Sequence, residues 1–462
     1  MLLQCSRTFR RKLVPVLLLS HILIVMLLLK LSVLDHNNRS AGDDLFQDES
    51  SFANLLNLSA AFASKKFFPP IAARRYDNAS FDPIAVNPAE EEEATAENAT
   101  TRTVLLAAWQ RWDEFDASKR RGQPLRNITI LMWTRYYGNL DLTDHVINES
   151  PIPDWCNVTF DQSKLREAAA VVFHVTGNDL DLNHMPPPPR DPAQPWVYYI
   201  IEPPIYMARD VLPLNGLFNR TMTYRLDSDY PCPYGYVSRL PTPMQRNPYY
   251  SDPTFPRQSK TKLVAWMVSH CYTSSSREII AKELQKYLRP DELDIYGSCG
   301  QLQCDKTQEE GCYEKLGRQY KFYLSFENSL CKDYITEKFS NALQYNLVPI
   351  VFGGGNFSAI LPHPNSFINV SDFDSVRSLA GYLQYLGRNE TAYAEYHAWR
   401  QYYRMHIRQG FGGFRRMCHA LQMGEANEQK IYKDVKAWWV TDAKCLNAEE
   451  SRRLASKKLN TA

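Results

Sequence analysis

Little in this sequence is unbalanced. Its 53 Lys and Arg against 51 Asp and Glu leave a formal net charge of only +2. The concentrated basic surface needed to neutralise a phosphate backbone is missing, which excludes nucleic acid as the main partner. Glycine (19) and proline (28) are too sparse in 462 residues for a collagenous or wholly disordered chain. No internal repeat occurs at a solenoid period. No Cys-x-x-Cys pair or paired histidines stand beside Cys299, Cys304 and Cys312, so this triplet lacks the usual zinc spacing. What is there is an ordinary globular composition, 44% hydrophobic and 12% aromatic, in a length that suits two lobes with appendages.

One long apolar run stands at the start. Arg7, Arg10, Arg11 and Lys12 precede an uncharged stretch from Leu13 to Leu29, and Leu31 to Leu34 extends it past Lys30, which can snorkel to the interface. A cleaved signal peptide is the competing reading, but the apolar core exceeds the usual length and no small-x-small cleavage site follows. The basic cluster predicts a cytoplasmic tail (1–12), a transmembrane signal-anchor (13–34) and a lumenal remainder, a single-pass type II topology. N-x-S/T sequons at Asn38, Asn57, Asn78, Asn98, Asn127, Asn148, Asn157, Asn219, Asn356, Asn369 and Asn389 suit a secretory chain. Beyond Cys5 there are nine cysteines, an odd number that leaves at least one outside any intrachain disulfide in an oxidising compartment.

Residues 35–102, without Trp or Cys and carrying the acidic run Glu90 to Glu93, read as a stem. The head follows. Asn127 to Trp133, Ala168 to His174 and Trp196 to Ile201 are apolar runs split by longer polar segments, the pattern of parallel strands with crossovers. Pro186 to Pro189 mark a loop, and the proline-rich stretch Pro241 to Pro256 a break between lobes. The pattern then restarts with a strand at 263–268, a loop at 269–276, a helix at 277–288 and a short strand at 294–296. The most regular unit is a strand at 321–326, a helix at 334–344 and a strand at 348–352 closed by Gly353 to Gly355, a βαβ unit. The expected fold is α/β, with two Rossmann-like lobes (103–245 and 246–462) and a cleft between them.

The segment Phe326-Glu-Asn-Ser-Leu-Cys-Lys-Asp-Tyr-Ile-Thr-Glu-Lys338 joins the carboxyl end of a strand to the start of a helix. Free N–H groups and a partial positive charge there suit a diphosphate. Glu337 could accept from ribose hydroxyls and Lys338 neutralise phosphate; a helix cap at Asp333 with a solvated acid–base face is the bland reading.

Residues 125–420 resemble the α1,3/4-fucosyltransferases, glycosyltransferase family 10. Tyr320 to Ser329 followed by Asp333-Tyr-Ile-Thr-Glu-Lys338 is similar to the family hallmark. Ala265-Trp266 with Val268-Ser269, Phe218 to Arg225 with Asp227-Ser-Asp229, and Pro233-Tyr-Gly235 match in the same order. The resemblance implies a GT-B fold, a Golgi membrane enzyme with a lumenal head, and GDP-fucose as donor. It also implies a metal-independent, inverting transfer to GlcNAc of a glycoprotein N-glycan or of a LacNAc or LacdiNAc unit, with no cofactor. The family's general base maps to Glu202 in Tyr199-Ile-Ile-Glu-Pro-Pro204, and its donor contacts to Ser269, Arg277, Glu327, Asn328, Ser329, Tyr334, Thr336, Glu337 and Lys338.

Three features depart from the pattern. Ser298-Cys299-Gly300 stands where Lewis-type members have an arginine, with Cys304 and Cys312 following as in the invertebrate and plant core-type branch. His270 replaces a common asparagine, and Cys418 lacks the partner of a C-terminal Cys-x-x-Cys. Two other classes stay open: a non-catalytic lumenal glycan-binding protein on this fold, and a metal-dependent GT-A transferase using Asp227 and Asp229.

Overall fold

The computed structural model describes residues 124–459 except 141, 143–151, 177–178, 208–211, 305–308, 408–410 and 425–429. These lie within one compact unit, Ala73–Ala462. The anchor, the stem and the sequons at Asn38, Asn57, Asn78, Asn98 and Asn148 fall outside the described residues. Among the described residues no helix is long and apolar enough to cross a membrane.

Twelve strands are described: β1 (Ile128–Met132), β2 (Cys156–Thr159), β3 (Ala170–His174), β4 (Trp196–Ile200), β5 (Arg220–Thr223), β6 (Gly235–Arg239), β7 (Lys262–Met267), β8 (Leu293–Tyr296), β9 (Tyr320–Phe326), β10 (Val348–Phe352), β11 (Ile368–Asn369) and β12 (Tyr403–Ile407). The helices are α1 (Pro248–Ser251), α2 (Arg277–Tyr287), α3 (Glu309–Gln319), α4 (Glu337–Gln344), α5 (Phe357–Ile360), α6 (Val376–Arg388), α7 (Glu390–Ala394), α8 (Gly412–Met423) and α9 (Ala448–Lys457).

The strands form two five-stranded sheets, ordered β2-β1-β3-β4-β5 and β11-β10-β9-β7-β8, with every pairing parallel. Counted within its own lobe, each sheet reads 2-1-3-4-5, a doubly wound order whose direction reverses between its first and third strands. Ligands in such sheets bind outside the carboxyl ends near that reversal. The uninterrupted apolar runs predicted this: β3, β4 and β10 are buried at every position, as parallel strands covered on both faces must be. A third, antiparallel ribbon pairs β6 with β12.

The structure differs from the sequence reading in three places. Strand β5 (RTMT) is fully buried although it reads as polar. Its hydroxyls find partners, Thr221 on Asp229 and Thr223 on Ser228, which offsets their desolvation. Helix α4 begins at Glu337 rather than Tyr334, because Asp333 takes a left-handed φ of 61° and Thr336 is extended at φ −102°. The chain after residue 410, grouped with the second lobe on sequence, packs Phe411, Phe414, Met417, Cys418 and Trp439 into the core of the first sheet.

Among the described residues four disulfides form. Cys156–Cys418 fastens α8 to the first sheet, Cys271–Cys299 joins the loops after β7 and β8, Cys304–Cys312 closes a short loop, and Cys331–Cys445 ties the 326–338 segment to the C-terminal stretch. Cys299, Cys304 and Cys312 are all taken up in two of these disulfides. Cys232 is the odd cysteine, free and buried.

Candidate active site

The carboxyl ends of the two sheets meet through named contacts. Glu202 lies two residues past β4, and its Oε2 accepts from the Tyr334 hydroxyl at 3.4 Å. Tyr206, on the single 3-10 turn that follows, donates to the Asn328 carbonyl at 3.2 Å. Both contacts join a first-lobe loop to the segment after β9. Burial pushes the Glu202 carboxyl above its ordinary range; Lys338 opposes the rise and Glu337 adds to it. A carboxylate so placed is a stronger base than one in water.

The segment after β9 is built around Glu327, fully buried where the strand ends. Its Oε1 accepts from the Thr336 N–H at 2.8 Å, and its Oε2 from the Thr336 hydroxyl at 2.8 Å. Glu327 thereby fixes the residue that precedes α4, while the Thr336 side chain makes no cap bond of its own. Lys338 completes the cluster, 2.8 Å from Glu337, 2.8 Å from the Thr336 hydroxyl and 3.5 Å from Glu327. Burial works against the ammonium, yet Glu337 and Glu327 outweigh it and its pKa is raised; burial likewise works to raise Glu337, which Lys338 holds below the usual range. Lys338 is thus a firmly charged cation at a helix N-terminus. Glycines at 353–355 let β10 pass against this segment: a Cβ on Gly354 would stand 2.7 Å from Cys331 N, and one on Gly355 2.4 Å from Ile335 Cγ1.

The loop after β7 supplies the other wall. Ser275 N–H donates to the Asn328 carbonyl at 3.1 Å, the Ser275 hydroxyl to the Glu327 carbonyl at 2.7 Å, and Ser274 Oγ lies 3.4 Å from Ser329 Oγ. Asn328 keeps its Oδ1 buried without a partner. Arg277 is buried, donating to the carbonyls of Phe326 at 2.6 Å and His270 at 3.3 Å. Its guanidinium ties the β7 loop to the end of β9, and burial lowers its pKa. Ser269 is half-buried at the head of that loop. His270 and Ser298, the two departures from the pattern, are both exposed, and each immediately precedes one cysteine of the Cys271–Cys299 bridge.

All ten sequence-predicted site residues thus fall on the carboxyl edges of the two sheets. Those from Glu327 to Lys338 form a single cluster with Glu202. The sequence reading missed Tyr206, Ser274 and Ser275, and no pattern in the sequence marks them. Asp227 and Asp229 point to separate partners. Asp227 forks with Arg225, at 2.8 Å from Nε, and reaches Lys332 at 3.3 Å. Asp229 accepts from the Thr221 N–H at 2.8 Å, Lys430 at 2.9 Å and the Tyr432 hydroxyl at 2.8 Å. Among the described residues no group of three or more His, Cys, Asp or Glu is arranged to hold a metal. Of the described sequons, Asn127, Asn157 and Asn356 are exposed, while Asn219, Asn369 and Asn389 are half-buried.

Two sequence profiles cover this architecture lobe by lobe. "Fucosyltransferase, N-terminal" matches residues 125–235, and "Glycosyltransferase family 10 (fucosyltransferase) C-term" matches residues 257–438. The chain belongs to glycosyltransferase family 10. Drosophila melanogaster alpha-(1,3)-fucosyltransferase C is 34% identical to it over 348 residues, covering 69% of this chain and 80% of that protein. Caenorhabditis elegans alpha-(1,3)-fucosyltransferase fut-6 is 32% identical, covering 71% and 84%. Human 4-galactosyl-N-acetylglucosaminide 3-alpha-L-fucosyltransferase FUT5 is 35% identical, covering 68% and 80%. A solved alpha1,3-fucosyltransferase with GDP-fucose matches 67% of this chain and 93% of its own at a TM-score of 0.42 and 16% identity, too distant to carry an argument. The family 10 match spans both lobes, so the Glu202 edge and the 326–338 segment both belong to a fucosyltransferase.

Proposed function

We propose that this fucosyltransferase moves L-fucose from GDP-fucose in α1,3 linkage to GlcNAc of glycoprotein glycans, on a GT-B arrangement of its two lobes. The observation that carries the reading is the placement of Glu202. A carboxylate made more basic by burial stands at the carboxyl end of β4 and touches, through Tyr334, the segment that ends in Lys338 and the α4 N-terminus. The acceptor hydroxyl attacks the anomeric carbon from the face opposite GDP and gives its proton to Glu202. The anomeric C–O bond breaks, and its electron pair leaves on the diphosphate, which Lys338 and the positive end of the α4 dipole stabilise. Ser269, Asn328, Ser329 and Glu337 line the donor side. Arg277, bonded to two carbonyls, holds that wall in shape.

A metal-independent reaction is part of this reading, because Asp227 and Asp229 are each held in separate ion pairs. The apolar run at 13–34 and the sequons support a type II Golgi membrane protein with a lumenal head. The core-type cysteine arrangement favours the innermost GlcNAc over an antennal unit.

The test is the full-length protein, purified from a eukaryotic host, with GDP-fucose and either a biantennary N-glycopeptide or free LacNAc. Fucosylated product is read by mass spectrometry. Glu202→Gln is expected to lower kcat by roughly 10²–10⁴-fold with folding intact. Undiminished turnover in that variant removes Glu202 as the base. No transfer by folded wild type to either acceptor favours a glycan-binding protein instead.

A further inference from the structure

Just past β1 the chain reverses in a two-residue turn. Tyr136 N–H donates to the Asn139 carbonyl at 2.9 Å and Asn139 N–H to the Tyr136 carbonyl at 3.0 Å, with φ of 46° at Tyr137 and 83° at Gly138 between them. Positive φ at both central positions is the type I′ pattern, which suits asparagine and glycine and strains a bulky side chain. Among the described non-glycine residues with positive φ, Tyr137 is the one aromatic; the others are Ser276, Asp333, Asn346, Asn365 and Lys444. Such a conformation persists only when its surroundings over-determine it. Asp179, beyond the end of β3, does so. Its carboxylate accepts from Tyr137 N–H at 2.8 Å, Gly138 N–H at 3.0 Å and the Thr176 hydroxyl at 2.7 Å, and lies 2.8 Å from His174 Nδ1. Burial works to raise its pKa, yet Thr176, His174 and Gly138 hold it below the usual carboxylate range. His174 is fully buried, and its Nε2 has no partner. A buried histidine and a nearly buried carboxylate are thus committed to one turn.

What the turn presents is a ring. Tyr137 is 48% exposed, whereas Tyr136 beside it is buried. T-shaped contacts with Tyr136 and His174, centroids 4.9 and 4.6 Å apart, hold the Tyr137 ring on one side and leave the rest of it open. Strands β1, β3 and β4 are consecutive in the first sheet. Tyr137, Asp179 and Glu202 therefore follow the carboxyl ends of three neighbouring strands, beside the reversal of strand direction where ligands bind. Partial burial, and then the charges of Glu202 and Asp179, raise the pKa of the Tyr137 hydroxyl, so the ring lies in the field of the proposed base and stays a neutral phenol.

We infer that the Tyr137 ring is a platform for the C–H face of the pyranose joined to the reacting GlcNAc, and that Asp179 is the positioning residue that aims it. The inference rests on Glu202 being the base and a glycan the acceptor. A pyranose ring carries its C–H bonds in patches that water hydrates poorly, and a flat aromatic surface matches them while leaving the hydroxyls solvated. A sugar seated there is one residue away from the hydroxyl that gives up its proton. The platform therefore selects which GlcNAc reaches Glu202 without touching the donor. Glycine or asparagine would suit the backbone of the turn better, but neither supplies a ring.

The test compares the full-length wild-type enzyme with Tyr137→Gly, Tyr137→Phe and Asp179→Asn. A biantennary N-glycopeptide and LacNAc are the acceptors; steady-state kinetics in both substrates, calorimetric acceptor binding with GDP present, and Tm are measured. Tyr137→Gly relieves the turn, so Tm is expected to stay within a few degrees of wild type or to rise. KM and Kd for the preferred acceptor are expected to increase about tenfold, as loss of an aromatic contact gives. KM for GDP-fucose stays within about twofold, and Tyr137→Phe, which keeps the platform, stays within about threefold of wild type throughout. Asp179→Asn offers one acceptor oxygen to two N–H groups and is expected to raise acceptor KM roughly three- to tenfold. Combined with Tyr137→Gly it adds no further loss of acceptor affinity, because the ring it aims is gone. Unchanged acceptor KM and Kd in Tyr137→Gly overturn the platform, and so does an equal loss in Tyr137→Phe, which moves the role to the hydroxyl. Additive losses in the double variant overturn the positioning role of Asp179. Turnover by wild type beside indifferent Tyr137 variants defeats this inference alone, whereas a folded wild type that neither binds nor fucosylates either acceptor defeats the proposed function with it.

Discussion

Asp229 and Tyr432, 203 positions apart, meet at 2.8 Å and share Thr221 between them, so that the end of the chain is bolted to a strand of the first sheet. This makes Asp229 part of the scaffold. Asp229→Asn is expected to lower Tm, through loss of the Lys430 ion pair and poorer acceptance from Thr221 and Tyr432, by the equivalent of about 1–3 kcal/mol. The kcat of the folded fraction is expected to remain, and wild-type activity to persist in EDTA. Differential scanning fluorimetry beside an EDTA titration of turnover checks both; loss of activity in EDTA makes the aspartates metal ligands after all.

A second prediction concerns the floor under the donor-side segment. A methyl group added at Gly354 would press on Cys331 N and O, main-chain atoms that the adjoining disulfide keeps from moving away. Gly354→Ala is therefore expected to raise KM for GDP-fucose and lower kcat, each by roughly three- to tenfold, with a smaller effect on Tm. Steady-state kinetics in the donor dimension measure this. Unchanged kinetics would mean that the stretch around Cys331 does not bear on the site.

The third prediction concerns acid. His397 is buried between Tyr249, Phe255 and Tyr393 with neither ring nitrogen hydrogen-bonded, and burial, with Arg400 and Lys260 nearby, holds its pKa well below 6.5. Burial also pushes His174 and His419 down to about 4. Groups with depressed histidine pKa values stay neutral in the native state but take up protons on unfolding below their ordinary value. Stability is then full above about pH 6.5 and declines as pH falls towards 4. The raised carboxyls Glu202, Glu327 and Asp333 act in the opposite direction at the lower end of that window. A Tm series from pH 7.5 to 5.0 is expected to fall, and His397→Phe, which forfeits no hydrogen bond, to flatten the slope while leaving Tm near neutral pH within a few degrees. An unaltered slope in that variant would assign the acid sensitivity to other groups.

What the sequence disclosed depended on how each element is covered. Strands β3, β4 and β10 declare themselves because both faces are buried and, His174 apart, every position is apolar or aromatic. The βαβ unit around β9 is local, so its parts and the acids at its turn could be located from neighbours in the chain. Strand β5 could not, since its threonines are satisfied by residues with no periodic relation to it. The β6–β12 ribbon pairs Tyr403 with Arg239, a distant register that no local pattern encodes. At the site, the place of Glu202 at a strand end was legible. Its link to Tyr334 was not, because that link depends on Asp333 breaking what reads as a continuous helix from 334.

The return of the last part of the chain to the first sheet has a consequence for biosynthesis. Residues 411–421 and 432–439 complete the first lobe's core, and Cys418 closes its disulfide with Cys156 across 262 positions. A ribosome that has released the first sheet has therefore released an unfinished one, with an apolar face and a thiol waiting for sequence not yet made. The second sheet, whose strands lie between β7 and β11, can assemble earlier. Truncation near the C-terminus should accordingly cripple the half of the enzyme farthest away in sequence, and leave chains held by thiol-directed quality control.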